Sequence, residues 1–164
     1  MAATGLNHVS ISASDLDESV RFYEELFGLE RIATPNFGFP VQWLRCGELQ
    51  LHIFERPDQP PQYHHVALTV DDFEAVYARA QELGIFDRAS FGAEMYELPD
   101  GAVQLYLRDP GGNLIEVDWP DIEALDRSRL PEIRKLSDKL PQKGDAARAT
   151  LYLGRQRVAA GAAD

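Results

Sequence analysis

Four histidines stand in this chain, His8, His52, His64 and His65, and three of them fall at places that an internal repeat makes equivalent. The stretch from Leu6, LNHVSISASDLDESVRFYEELFG, and that from Tyr63, YHHVALTVDDFEAVYARAQELG, share one layout. In it His8 and His65, Asp15 and Asp72, and Leu26 and Leu83 are each 57 residues apart. A second match, GELQLHIF from Gly47 against GGNLIEVD from Gly111, runs at a shift of 64 and sets His52 opposite Glu116. If the two halves face each other about a pseudo-twofold axis, His8, His65, His52 and Glu116 converge on one concave surface. Imidazole and carboxylate on rigid strands suit a first-row divalent ion. Two histidines and one carboxylate leave positions open, the facial arrangement of non-heme Fe(II) oxygen chemistry; four protein ligands would favour an octahedral ion holding two waters.

A lone histidine on a strand is more often a hydrogen-bonded structural residue than a ligand. Three at repeat-equivalent sites, with a carboxylate on an otherwise apolar strand, favour a metal. His64 lies in the opposite phase from His65 and reads as structural. His52 has three readings: a fourth ligand, an acid/base group, or a polar residue lining the cup. Tyr106 shares the inward phase with Gln104, ten residues before Glu116, and either bonds an anionic substrate oxygen or lines a pocket. Arg45 and Arg108 read as ion-pair partners rather than clamps for a substrate carboxylate. Of Gln42 and Trp43 only one can point into the cup. Cys46, beside a turn and with no base nearby in sequence, reads as structural.

The elements that must carry these residues follow from periodicity. Val9 and Ile11 in one copy, and Val66, Leu68 and Val70 in the other, alternate as in a strand with one apolar face. His8, Ser10 and Ser12, or His65, Ala67 and Thr69, take the opposite face. Asp15 and Asp72 then open helices as N-caps. Val20, Tyr23, Leu26 and Phe27 recur at helical spacing, as do Phe73, Val76, Ala80 and Leu83, and Gly28 and Gly84 close the helices. Strands follow near 29–34, 41–45 and 48–55, and near 88–91, 102–107 and 113–119, with turns at Pro99-Asp100-Gly101 and Asp109-Pro110-Gly111-Gly112. The fold class is therefore α+β: two βαβββ modules, 5–56 and 63–119, forming a curved mixed-sheet cup within a domain of residues 1–119. ERPDQPPQ, with three prolines, is a short linker between them. Residues 120–164 read as a helical C-terminal extension, interrupted at Pro131 and frayed from about Gly154.

Composition bounds the rest. A chain of 164 residues is one ordinary domain, or two half-domains sharing a core. A net charge of −11 and a pI near 4.7 argue against nucleic-acid and acidic-membrane partners, which require clustered cations. A single cysteine excludes an intramolecular disulfide and a multi-thiolate zinc site. With no long apolar run and no secretory signal, the sequence predicts a soluble, cytoplasmic protein.

The paired βαβββ units, the NHVSI and HHVALTV openings, FYEELFGLE and LYLRDPGGNLIEV resemble the vicinal oxygen chelate superfamily. That group includes glyoxalase I, methylmalonyl-CoA epimerase, extradiol dioxygenases and the fosfomycin- and bleomycin-resistance proteins. The resemblance covers about Leu6 to Trp119 and implies a metal in the cup that chelates two neighbouring substrate oxygens. It implies His8, His65 and Glu116 as metal ligands, with Fe(II) favoured and Mn(II), Ni(II) or Zn(II) also compatible. Histidine at position 52, where glyoxalase- and epimerase-like members carry Glu or Gln, together with Tyr106, is closer to the extradiol pattern. The expectation is thus a dioxygenase acting on a catechol-like substrate, with His52 as acid/base and Tyr106 steadying the substrate anion. A glyoxalase- or epimerase-like lyase or isomerase, and a non-catalytic antibiotic-binding protein, are the alternatives. Family resemblance further implies a homodimer.

Overall fold

The computed structural model describes residues 5–56 and 59–152; the frayed end expected from about Gly154 lies outside them. Module one runs β1 (His8–Ala13), α1 (Leu16–Phe27), β2 (Glu30–Ile32), β3 (Val41–Cys46) and β4 (Leu49–Glu55). Module two repeats it as β5 (His65–Thr69), α2 (Phe73–Leu83), β6 (Met95–Glu97), β7 (Val103–Arg108) and β8 (Leu114–Trp119). The strands order as β1-β4-β3-β2 in one sheet. The second sheet orders as β5-β8-β7-β6-β9, where β9 (Arg134–Lys135) comes from the C-terminal segment. In each module the first strand lies parallel to the last, and the others are antiparallel.

Local chemistry sets these elements as the sequence predicts. Asp15 accepts from the Glu18 backbone N–H, and Asp72 from that of Ala75, at the helix starts. Gly28 and Gly84 adopt φ of +64° and +67° at the helix ends, where the chain must turn left-handed. The buried helix faces, with Val20 and Tyr23 on α1 and Phe73, Val76, Tyr77 and Ala80 on α2, join Leu44, Leu51, Ile53, Leu105, Ile115 and Val117 in one core. That shared core makes the two modules a single packed body.

A polar latch reinforces the junction. The Tyr23 hydroxyl donates to Asp109 Oδ2 at 3.0 Å, and Asn113 Nδ2 donates both to Asp109 Oδ2 and across to the Ser12 carbonyl at 2.7 Å. Gly111 is required by this approach, because a Cβ there would stand 3.0 Å from the Ser12 carbonyl oxygen. Burial, then the Asp109 carboxylate, holds the Tyr23 phenol well above its ordinary pKa; burial likewise raises Asp109.

Two expectations require correction. The strand expected near 88–91 is a bent loop: Phe86 makes one isolated bridge to Leu107, and the ladder with β7 begins at Met95. The Ser90 N–H turns back onto Asp87, and Gly92 takes φ +83°, so local side-chain bonding displaces the ladder. The extension is helical only in single turns: 3₁₀ turns at Ile122–Ala124 and Arg127–Arg129, and the four-residue helices α3 (Leu136–Lys139) and α4 (Asp145–Arg148). Between these turns β9 adds to the free edge of β6, and Ile122 and Leu130 enter the core. The two sheets are open, and among the described residues no ladder joins them.

Candidate metal centre

Register brings the repeat-equivalent residues into matching places. Ser10 pairs with His52 and Ala67 with Glu116, so His52 and Glu116 occupy one position in the two sheets. Across the next strand Trp43 pairs with His52, and Tyr106 with Glu116. Each module therefore presents a diagonal pair: His8 beside His52, and His65 beside Glu116.

The second pair has the geometry of a half-site. His65 Nδ1 donates to the Tyr63 carbonyl at 2.9 Å, which leaves Nε2 with the lone pair in the neutral ring. Nε2 stands 3.5 Å from Glu116 Oε2. Two atoms each about 2.1 Å from one ion lie roughly 3.0–3.4 Å apart for bond angles between octahedral and tetrahedral, so the observed spacing is just wider than that of two ligands on a single cation. The other carboxylate oxygen, Oε1, accepts from Gln104 Nε2 at 2.6 Å, and the Tyr106 hydroxyl donates to Gln104 Oε1 at 3.2 Å. Tyr106 thus steadies the carboxylate's holder. Glu116 and Asp118 are both almost fully buried. Burial, then the Glu116 charge, raises the Asp118 carboxyl, and Asp118 Oδ1 is buried without a hydrogen-bond partner. This concentration of buried carboxylate is the setting a cation relieves.

The first pair is an aromatic stack. His8 lies on His52 with ring centroids 4.2 Å apart, and His52 lies on Trp43 at 4.2 Å and 4°. His8 Nδ1 is 3.0 Å from Asn7 Oδ1, and His52 Nε2 is 2.9 Å from Gln50 Oε1. Burial, then the neighbouring His8, lowers the pKa of His52. Trp43 is the member of its dipeptide on the cup face, and its buried indole N–H has no partner. Gln42 faces the other way and bonds Ile32 and Thr34.

The four residues do not converge within one chain. Among the described residues no three His, Cys, Asp or Glu side chains gather as a metal site would need. The structure brings His65 to Glu116 and His8 to His52, in two separate halves. His64 is exposed and lines a cleft of about 600 Å³ between β1 and β5. Arg45 pairs with Glu30. Arg108 bonds Asp87, the Gly112 and Gln62 carbonyls and Ser90 Oγ, which commits it structurally. Burial raises the Cys46 thiol. Sequence reasoning missed Asp118, although its period-2 spacing from Glu116 on a strand places both on one face, and it missed the support from Gln104.

An α+β chain of paired βαβββ modules, each presenting an imidazole beside a second ligand-type side chain, defines a class by its repeated fold. A family model matches residues 5–117, and the chain belongs to the Glyoxalase/Bleomycin resistance protein/Dioxygenase superfamily. It is 39% identical over 108 residues to glutathione transferase FosA of Serratia marcescens, a match spanning 58% of this chain and 74% of that protein. Similarity to glyoxylase I 4 of Arabidopsis thaliana is 27% over 128 residues, spanning 70% of each. A glyoxalase-family protein from Bacillus anthracis superposes with a TM-score of 0.57 at 27% identity, covering 72% of this chain and 96% of that one.

Proposed function

We propose that this protein is a divalent-metal-dependent enzyme of the group-transfer or lyase kind. Its substrate is a small molecule with two adjacent oxygen atoms, and its site is completed by two copies of the chain. The observation that carries the reading is the His65 Nε2 to Glu116 Oε2 spacing of 3.5 Å, with each group fixed from behind by Tyr63 and Gln104. His65 and Glu116 of one copy and His8 of the other would hold the ion. Bound there, a divalent ion supplies Lewis acidity toward a substrate oxygen. The ligand set suits Fe(II), Mn(II), Ni(II) and Zn(II) alike. Similarity to a glutathione transferase and a glyoxylase I supports transfer or lyase chemistry.

The chain's own residues supply orientation. Tyr63 sets the tautomer of His65, and Tyr106 through Gln104 fixes the Glu116 carboxylate. His52 is stacked parallel on His8. Parallel rings 4.2 Å apart do not aim two nitrogens at one ion, since cis ligands stand about 3 Å apart. This favours His52 as a proton acceptor beside the ion over a fourth ligand. It is also the observation that favours the second reading, an extradiol-type dioxygenase with His52 as acid/base.

The test is metal content of wild type, His65→Ala and His52→Ala, followed by turnover. The expected result is about one equivalent per chain in wild type and in His52→Ala, with loss in His65→Ala. Consumption of glutathione in the presence of an epoxide or a 2-oxoaldehyde supports transfer or lyase chemistry. Oxygen uptake with catechols would replace it with the dioxygenase. A wild type that takes up no metal on reconstitution would sink both and leave a binding protein.

A further inference from the structure

The extension beyond the family match builds a cavity of its own. It has a volume of about 650 Å³ and lies where β9 and α3 meet β6. Four cations line it, Arg127, Arg134, Lys135 and Lys139, in a chain whose net charge is −11. Glu97 engages Arg127 at 2.8 Å and Lys135 at 3.7 Å, and Asp138 stands at the rim, exposed. Among the described residues neither Arg134 nor Lys139 has a carboxylate partner. Lys139 Nζ donates to the Phe91 carbonyl at 2.6 Å and to the Tyr96 hydroxyl at 3.0 Å, which leaves one of its three donors unspent. Gly92 leaves that ammonium uncovered, since a Cβ there would lie 3.5 Å from it.

The cavity borders the metal half-site through one residue. The Phe91 carbonyl receives Lys139 and Tyr96, while its ring packs on Tyr106 at 4.5 Å and edge-on to His65 at 6.3 Å. Tyr96 pairs with Gln104 on one side and Arg134 on the other, so all three share the sheet face that carries Glu116. From β8 to β9 is three strand spacings, about 14 Å. That is the span of an extended small molecule.

We propose that this cavity binds an anionic group, phosphate, phosphonate or carboxylate, at the end of the substrate remote from the metal, with Arg134 and Lys139 as its counter-charges. The assignment to substrate rests on the cup being the reaction site. The anion site itself does not, so the two are tested apart. Metal-free wild type titrated calorimetrically with inorganic phosphate and with malonate should show saturable binding of one of them. The Arg134→Gln/Lys139→Met double variant should weaken it at least tenfold, with metal uptake at His65 unchanged. Phosphate binding alone marks a phosphoryl or phosphonyl tail, and malonate binding a carboxylate tail. No saturable binding by wild type, or equal binding by a variant whose melting temperature matches wild type, overturns the proposal. Once a substrate is in hand, phosphate or malonate should compete with it in wild type and not in the variant. Absence of competition despite binding overturns the substrate assignment.

Discussion

Arg108 reaches four acceptors on three separate stretches of chain, and Asp87 anchors it through a 2.7 Å bond to Nε. Burial pushes the Asp87 carboxyl up, but the Ser90 N–H and the Arg108 guanidinium more than offset this, and it titrates below the usual carboxylate range. A depressed folded-state pKa contributes stability above the unfolded value, which is lost as pH falls through the folded one. Asp87→Asn should therefore cost about 1–3 kcal/mol at pH 7 in urea unfolding. The difference from wild type should shrink as pH drops below about 4; a constant difference down to pH 2 would contradict the assignment. At this scale the ligand-type residues were legible because the repeat marks them. Their supports were not. The Tyr63 carbonyl behind His65 is a main-chain atom, and Gln104 meets Glu116 only through a register that no single sequence displays.

The terminal segment is an element-scale surprise with a simple cause. Ile122, Leu125, Ile133, Leu136 and Leu140 sit at mostly helical intervals, yet Asp121 and Asp126 each start a separate short turn and Pro131 follows the second, so no single helix propagates. Stability here comes from docking. Leu130 is fully buried and Ile122 nearly so, and Asp126 N–H and Arg129 both bond Glu74 on α2. Leu130→Ala should cost roughly 2–5 kcal/mol, the range for a large-to-small core change. A thermal melt lowered by less than one degree would mean the segment is peripheral. By contrast β1, α1, β4, β5, α2 and β8 were legible because local caps and burial pattern agree there. The loop over residues 87–94 was not, since there the Ser90 N–H bonds Asp87 and Arg88 bonds Glu94 in place of a ladder.

At the scale of the whole molecule, the half-sites are separate in one chain, and the proposed function has two copies complete them. The latch of Tyr23, Asp109, Asn113 and Ser12 fixes the modules so that neither half turns to meet the other. If His8 of one copy joins His65 and Glu116 of another, mixing two inactive variants should restore sites. Unfolding and refolding His8→Ala with His65→Ala together gives about half mixed dimers, each with one intact site of two, hence about a quarter of wild-type metal content. Recovery of none would place all the ligands within one chain.

The two sheets end outward in β2 and β9, strands of only three and two residues, while the longer β1 and β5 face each other across the cleft between the modules. So little unpaired backbone on the perimeter gives a further molecule almost no ladder to extend. Copies of this chain can associate through sheet faces, where contacts are mutual and close on themselves, rather than through edges, where each addition invites the next. Assemblies of this protein should accordingly be finite in size and resist growth into fibrils.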